Sequence, residues 1–383
     1  MKKIIVIIIL LITTINLSSC NKLEIDELAI VTGFGIDRTD QGFEVSLQIL
    51  DALAMHKDSP EAAPVILISE YGRTIEEAVT RLSAVINNRL YYPYFQVLIF
   101  GEELAKQGIS PYLNFFSDKQ ETVHDYFILV AKESTAKDIL GVITALNKIP
   151  TISTERKVVG AMKYYGIAKK TFYDDLINEL NNEGISVTLT SITVDGDAKK
   201  GSKGDNIKTS IPDALIKVST IAVFKDDKLI GYLSESESLG FNYVLNNIKR
   251  SMVVITKENG TLASVEVNNI QSKVKIILEE KDVKIKINIK CISEVSEDTS
   301  EEPTFELKYL KDLEDRVSYE IKKMIEEAIK KSKEYNSDIF GFGKKIHQFH
   351  PKYWQTIKDN YEEIYPNLKI EIDVENKIVK VKQ

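Results

Sequence analysis

The chain has 383 residues, too long for one compact core and about right for two or three domains at roughly 150 residues each. With 43% hydrophobic and 28% charged residues, 9 Pro and 18 Gly, its composition is that of a folded protein and excludes a collagen-like or long low-complexity architecture. Lys and Arg number 50 against 57 Asp and Glu, a net charge of −7, which excludes the concentrated positive charge of a nucleic-acid-coating surface.

At the amino terminus, Lys2 and Lys3 precede an unbroken apolar run from Ile4 to Ile12, the pattern of a signal peptide over residues 1–19. A membrane-spanning helix needs about 20 apolar residues, and the broader stretch Ile4–Leu17 has 14 residues, three of them polar. The segment ends in Leu17-Ser18-Ser19-Cys20, which resembles a bacterial lipobox. Cleavage after Ser19 would leave Cys20 as the new amino terminus and the lipid attachment point; the alternative is an ordinary cleavage site beside an incidental Cys. The second thiol, Cys291, lies in the alternating run Val283, Ile285, Ile287, Ile289 and reads as a buried apolar side chain. With Cys20 lipidated no intramolecular disulfide can form, so stability must come from packing.

Leu28–Ile36 and Gly42–Leu50 read as strands of a hairpin, with Gly33 and Gly35 as strand glycines, since no third Gly stands at phosphate-loop spacing. Val65–Ser69 is a short strand. Thr74-x-x-Glu77 then opens an amphipathic helix with the stripe Ile75, Val79, Leu82, Val85, Ile86. Phe95–Phe100 and Tyr126–Ala131 are apolar enough to be central strands, with short helices over Glu102–Gln107 and Pro111–Phe116 between them. Helices follow over Thr135–Thr144, from about Ser153 to Tyr165, and after a cap at Thr171-x-x-Asp174, and Ile185–Val194 is a strand. The Gly-, Lys- and Asp-rich segment 195–213 is the clearest composition break, and the expected linker between an N-terminal α/β-type domain (20–194) and a C-terminal α+β domain (214–383). The first of these has a possible further division near residues 135–150.

Beyond the break, Lys217–Phe224 and Lys228–Leu233 form a hairpin across Lys225-Asp226-Asp227, and Ser234-x-x-Glu237 caps a helix. Three to five strands without helices occupy Ser251–Val295. The longest helix, about Phe305–Tyr335, carries the stripe Leu307, Leu310, Leu313, Val317, Ile321, Met324, Ala328. Short helical stretches and the strand pair Leu368–Val374 and Lys377–Val381 are expected to close the chain with a hairpin. The fold class is thus α+β and multidomain: mixed sheets each packed by helices, the C-terminal domain having an antiparallel sheet and one long helix.

The four His residues (His56, His124, His347, His350) complete no ligand set, and the sequence has no G-x-S-x-G, P-loop, H-E-x-x-H or CxxC. No catalytic constellation is evident. Several stretches stand in one order along the chain: Cys20 followed by Glu27–Asp37 (ELAIVTGFGID), Phe100–Ala105 (FGEELA), Ala222–Lys225 with Leu229–Leu233, and above all Asp338–Gly343 (DIFGFG) with His350–Trp354 (HPKYW) and Asn360. Together they resemble the Ger(x)C family of spore-germination lipoproteins. The family usually has a Trp beside the lipidated Cys, where this chain has Asn21-Lys22-Leu23, and often a Trp at the position of Tyr361.

The resemblance implies a non-catalytic C subunit of a nutrient germinant receptor, without cofactor. Its partners would be membrane A-type and B-type subunits, and lipid would hold it on the outer face of the spore inner membrane. Within that reading Phe340, Phe342 and Trp354 are candidates for a subunit interface, against the alternative of a helix stop and core aromatics. Direct nutrient binding stays open. The competing function is a solute-binding lipoprotein of a transport system, which should show strand-helix alternation in both halves, unlike the consecutive strands of Ser251–Val295.

Overall fold

A computed structural model describes residues 27–51, 64–117, 125–144, 146–147, 149–257, 260–279, 282–299 and 306–381. The signal segment and Cys20 lie outside the described residues. Strands β1 (Leu28–Thr39) and β2 (Gly42–Leu50) form the expected hairpin, with Gly42 at φ 129° closing its turn. β3 (Val65–Gly72) adds antiparallel to β2, and α1 (Ile75–Val85) follows, Thr74 accepting a hydrogen bond from the Glu77 amide. β4 (Arg89–Tyr91) and β5 (Val97–Phe100) both run parallel to β1. Helices α2 (Glu102–Gln107) and α3 (Ser110–Ser117) lead to β6 (Phe127–Ala131), parallel to β5.

Next come α4 (Ala136–Gly141), α5 (Pro150–Gly160, continued by a π turn Ala161–Tyr165) and α6 (Tyr173–Asn181). The cap of α6 lies one residue later than expected, because the Asp175 carboxylate accepts from the Phe172 amide while Thr171 is buried against β7 (Thr188–Gly196). Val97 to Phe100 are all fully buried, since Leu98 and Phe100 face one helical layer and Val97 and Ile99 the other. Burial on both faces is why this strand reads as an unbroken apolar run.

The segment 195–213 does not separate two sheets. It contains helix α7 (Ala198–Gly201) and returns as β8 (Ala214–Lys225), which pairs antiparallel with β7 and then, through a turn with Asp226 at φ 53°, with β9 (Lys228–Tyr232). The result is one nine-stranded mixed sheet, ordered β3-β2-β1-β5-β6-β7-β8-β9 with β4 beside β1. Residues 214–232 thus complete the first sheet, and the segment 195–213 connects two of its strands. Polar side chains order this segment from within. Buried Asn206 donates to the Ile143 and Ala214 carbonyls and accepts from the Ala214 amide, and Asp197 caps α7.

The second sheet is built from β10 (Arg250–Thr256), β11 (Leu262–Glu279), β12 (Asp282–Asp298) and, at the carboxyl end, β13 (Lys369–Val381). Before it stands α8 (Glu235–Leu245), with the expected Ser234/Glu237 capping box. Helix α9 (Leu307–Glu334) lays Leu313, Val317, Ile321, Ile325 and Ala328 over Val283, Ile285, Ile287 and Ile289 in one buried cluster. Leu307, expected in that stripe, is 86% exposed, because the first turn of α9 extends past the packed surface. α10 (Phe342–Phe349), α11 (Pro351–Ile357) and α12 (Tyr361–Ile364) precede β13.

The closing hairpin expected at 368–381 is instead one strand, parallel to β12, with one register shift near Ile378. The polar triplet Glu375-Asn376-Lys377 does not turn, because β12 supplies a continuous ladder opposite it: Lys290, Cys291 and Ile292 face the three residues. Cys291 is buried there with its thiol against the Asn376 side chain, and burial pushes its pKa up to about 12.

Candidate functional site at the junction of the two sheets

The stretch Asp338–Gly343 follows α9 and meets the first sheet. Ser337 Oγ donates to the Phe224 carbonyl of β8 at 2.8 Å. Gly341 adopts φ 65°, a left-handed conformation that glycine tolerates without strain, and this turn starts α10. Asp338 lies beneath the turn, its Oδ2 accepting from the Gly343 amide at 2.8 Å and from the Tyr361 hydroxyl at 2.7 Å. Even with those donors, burial pushes its carboxyl up to about 6. The Tyr361 hydroxyl is raised well above its ordinary value by burial and by the neighbouring Asp338 charge.

Phe340 and Phe342 stack with centroids 5.3 Å apart, and Phe241 of α8 packs on Phe340 at 5.7 Å. Trp354 sits between His347, stacked at 5.7 Å, and Tyr361, edge-on at 5.0 Å. All three candidate interface residues are core residues: Phe340, Phe342 and Trp354 are 2%, 0% and 1% exposed. None of their rings is available to a partner at the surface, so the expected interface role is corrected to a packing role within the chain. The motif is aromatic because its rings fill the space between α8, α10 and α11.

The junction itself is backbone on backbone. Gly184, at φ 76°, lies against Gly343; a Cβ on Gly343 would stand 2.7 Å from Gly184 Cα, and one on Gly184 would stand 2.6 Å from Gly343 C. Two hydrogen bonds cross the contact, Ser186 N to Asp338 O and Lys344 N to Gly184 O, each 2.8 Å. Trp354 Nε1 donates to Glu183 at 3.2 Å, and the Lys225–Glu362 ion pair at 3.0 Å bridges the rim. A recess of about 280 Å³ remains beside the contact, lined by Glu183, Gly184, Asn336, Asp338, Tyr361 and Tyr365. The arrangement buries the Asp338 carboxyl between two packed bodies, with the Glu183 and Glu362 carboxylates paired at the rim. Among the described residues no group of three or more His, Cys, Asp and Glu is placed to hold a metal.

Two other stretches that carried the resemblance, 27–37 and 100–105, meet at a second packed junction. Asp37, at the end of β1, accepts from the Ala136 and Lys137 amides at 2.9 and 3.0 Å and so caps α4; burial pushes its carboxyl up to about 6. Gly101 leaves room for it, since a Cβ there would meet Asp37 Oδ1 at 2.1 Å. Gly33 and Gly35 admit Leu140 and Thr151 and Leu140 and Ala136 respectively, at distances a side chain would close. Glu44, buried beside Asp37, pairs with Lys137. Asp37 and Asp338 stand inside the recognised motifs, but no local pattern marks them, or Gly184, as buried contact residues, because their partners are distant in the chain.

No helix among the described residues is long and apolar enough to cross a membrane. Residues 21–194 match the family model described as spore germination protein N-terminal domain, and residues 219–382 the one described as spore germination B3/GerAC like, C-terminal. The chain is 27% identical to spore germination protein KC of Bacillus subtilis (strain 168), over 98% of this chain and 95% of that protein. It is 23% identical to spore germination protein B3 of the same organism, over 93% and 92%, and 21% identical to spore germination protein GerQC of Bacillus cereus, over 97% of each. The crystal structure of the GerBC protein has the same fold, with a TM-score of 0.55 at 20% identity over 91% of this chain and 97% of that one. With both family models in register along the chain and full-length relatives of the same kind, this protein belongs to the Ger(x)C family of spore germination proteins.

Proposed function

We propose that the protein is the lipid-anchored, non-catalytic C subunit of a nutrient germinant receptor, acting with membrane A-type and B-type subunits on the outer face of the spore inner membrane. The observation that carries this reading is likeness to spore germination proteins along the whole chain, through both sheets. The lipobox-like Leu17–Cys20 supports the anchor: each buried acyl methylene contributes about 0.8 kcal/mol of membrane affinity, and two or more chains hold a protein stably. The consecutive strands β10, β11 and β12 favour this reading over a two-lobed solute-binding protein.

The test is nutrient-triggered dipicolinate release from spores lacking the gene, beside the parent and a complemented strain. Loss of the response to one nutrient class, restored by the gene, is the expected result. An unchanged response to every nutrient the parent recognises would refute the assignment and return solute binding to consideration.

A further inference from the structure

β11 is far longer than its outer neighbour. β10 pairs only with Leu262–Asn268, whereas β12 pairs with β11 as far as Glu279. Gln271–Glu279 is therefore laddered on one side alone, leaving nine residues, about 30 Å, of sheet edge. Among the described residues no backbone hydrogen bond meets that edge. An open edge of this length is a template for another strand, and proteins guard such edges when nothing is meant to pair there.

The side chains say what would pair. On the face packed against the helices stand Val274 and Ile276, half-buried, and Leu278, 41% exposed. On the opposite face, which from β11 carries Gln271, Lys273, Lys275, Ile277 and Glu279, the lysines of β12 are already neutralised by the acids of β13. Glu371 of β13 pairs with Lys284 and Lys286 of β12 at 2.6 and 2.9 Å, and Glu375 pairs with Lys290 at 2.7 Å. The next strand brings Lys273 and Lys275, exposed and without an ion pair among the described residues, Lys275 standing directly opposite Lys286. The series ends on uncompensated positive charge at an open edge. A second copy is poorly suited: a two-fold antiparallel pairing about the middle of the edge sets Lys275 against Lys275 or Lys273 against Lys275, like charges directly opposite are destabilising, and only a shifted register that shortens the pairing brings Glu279 opposite a lysine.

We propose that the Gln271–Glu279 edge takes up an extended segment of another polypeptide, with acidic and apolar side chains alternating, as one further strand of the second sheet. Its acids lie beside Lys273 and Lys275, and its apolar residues extend the Val274, Ile276, Leu278 surface. The inference does not depend on the receptor assignment.

The test uses the mature chain purified in detergent, with fluorescein-labelled nine-residue peptides that alternate glutamate with valine or lysine with valine, followed by anisotropy. The glutamate peptide is expected to bind and the lysine peptide not. The double variant Lys273→Glu/Lys275→Glu should invert that preference by roughly tenfold. N-methylation of alternate amides in the glutamate peptide should abolish binding with its charge intact. Lys275→Gln, a milder change, should weaken binding without inverting it, which covers the case in which the double variant does not fold. Binding that survives N-methylation would reduce the effect to charge attraction and overturn strand addition. Binding of neither peptide, or an order of preference indifferent to Lys275→Gln and to the double variant, would mark the lysines as a guard against pairing and overturn the proposal.

Discussion

Substitution of Gly343 by Ala tests whether the two bodies are held by direct backbone contact. The added Cβ would lie 2.7 Å from Gly184 Cα and 2.7 Å from the Tyr361 ring, both inside van der Waals distance. Gly343 is in the first turn of α10 with no positive φ, so the backbone itself accepts alanine. Overpacking against rigid partners costs about 1–3 kcal/mol. Separation of the backbones would add about 1 kcal/mol for each of the Ser186–Asp338 and Lys344–Gly184 bonds that is lost. Against this, alanine in place of glycine in a helix returns up to about 1 kcal/mol, leaving an expected net loss of about 2–4 kcal/mol. The control is Gly160→Ala at the end of α5, where a Cβ meets nothing within 4 Å, expected to be neutral or stabilising by up to about 1 kcal/mol. Urea unfolding of the mature chain reads both, with limited proteolysis at 182–186 as a local probe. A Gly343→Ala chain as stable and protease-resistant as wild type would refute the contact.

The Asp338 carboxyl stands at about 6 in the folded chain against an ordinary 3.8, so between those values the folded state holds a proton that the unfolded state has lost. Its contribution is full below about pH 4 and is lost as pH rises through about 6; Asp338→Asn, which cannot ionise, should therefore gain about 2–3 kcal/mol on wild type between those limits. Urea midpoints of both chains at the two pH values check the sign, and a constant difference would contradict it. Trp354→Phe should cost about 1–3 kcal/mol, and a double-mutant cycle with Glu183→Ala should show coupling of about 1 kcal/mol through the Nε1–carboxylate bond. The Cys291 thiol, buried and raised to about 12, should resist a thiol reagent in the native chain and react fully in urea; prompt native labelling would contradict its burial.

Much of the local structure was legible because it is written in local chemistry. The Thr74 and Ser234 caps, the Asp226 turn and the doubly buried Val97–Phe100 strand stand where residue type and spacing put them. What was not legible depends on partners distant in the chain. A loop rich in Lys, Gly and Asp reads as a linker unless one knows that Asn206 will be buried between Ile143 and Ala214. Glu375-Asn376-Lys377 reads as a turn unless β12 is known to lie alongside. Phe340, Phe342 and Trp354 illustrate the same limit at the junction: aromatics in a recognisable motif suit an interface or a core, and it is their burial among α8, α10 and α11 that decides between them. Asp37, Gly101, Asp338 and Gly343, each inside a stretch that carried the resemblance, sit where packed elements meet.

The most direct measurement of the central claim is dipicolinate release from spores carrying Cys20→Ala, with the distribution of the protein between membrane and soluble fractions followed in the same spores. An anchored receptor subunit predicts that the protein leaves the membrane fraction and that the nutrient response falls to the level of the deletion strain. A protein that stays membrane-bound, or spores that germinate normally once it is released, would contradict the account.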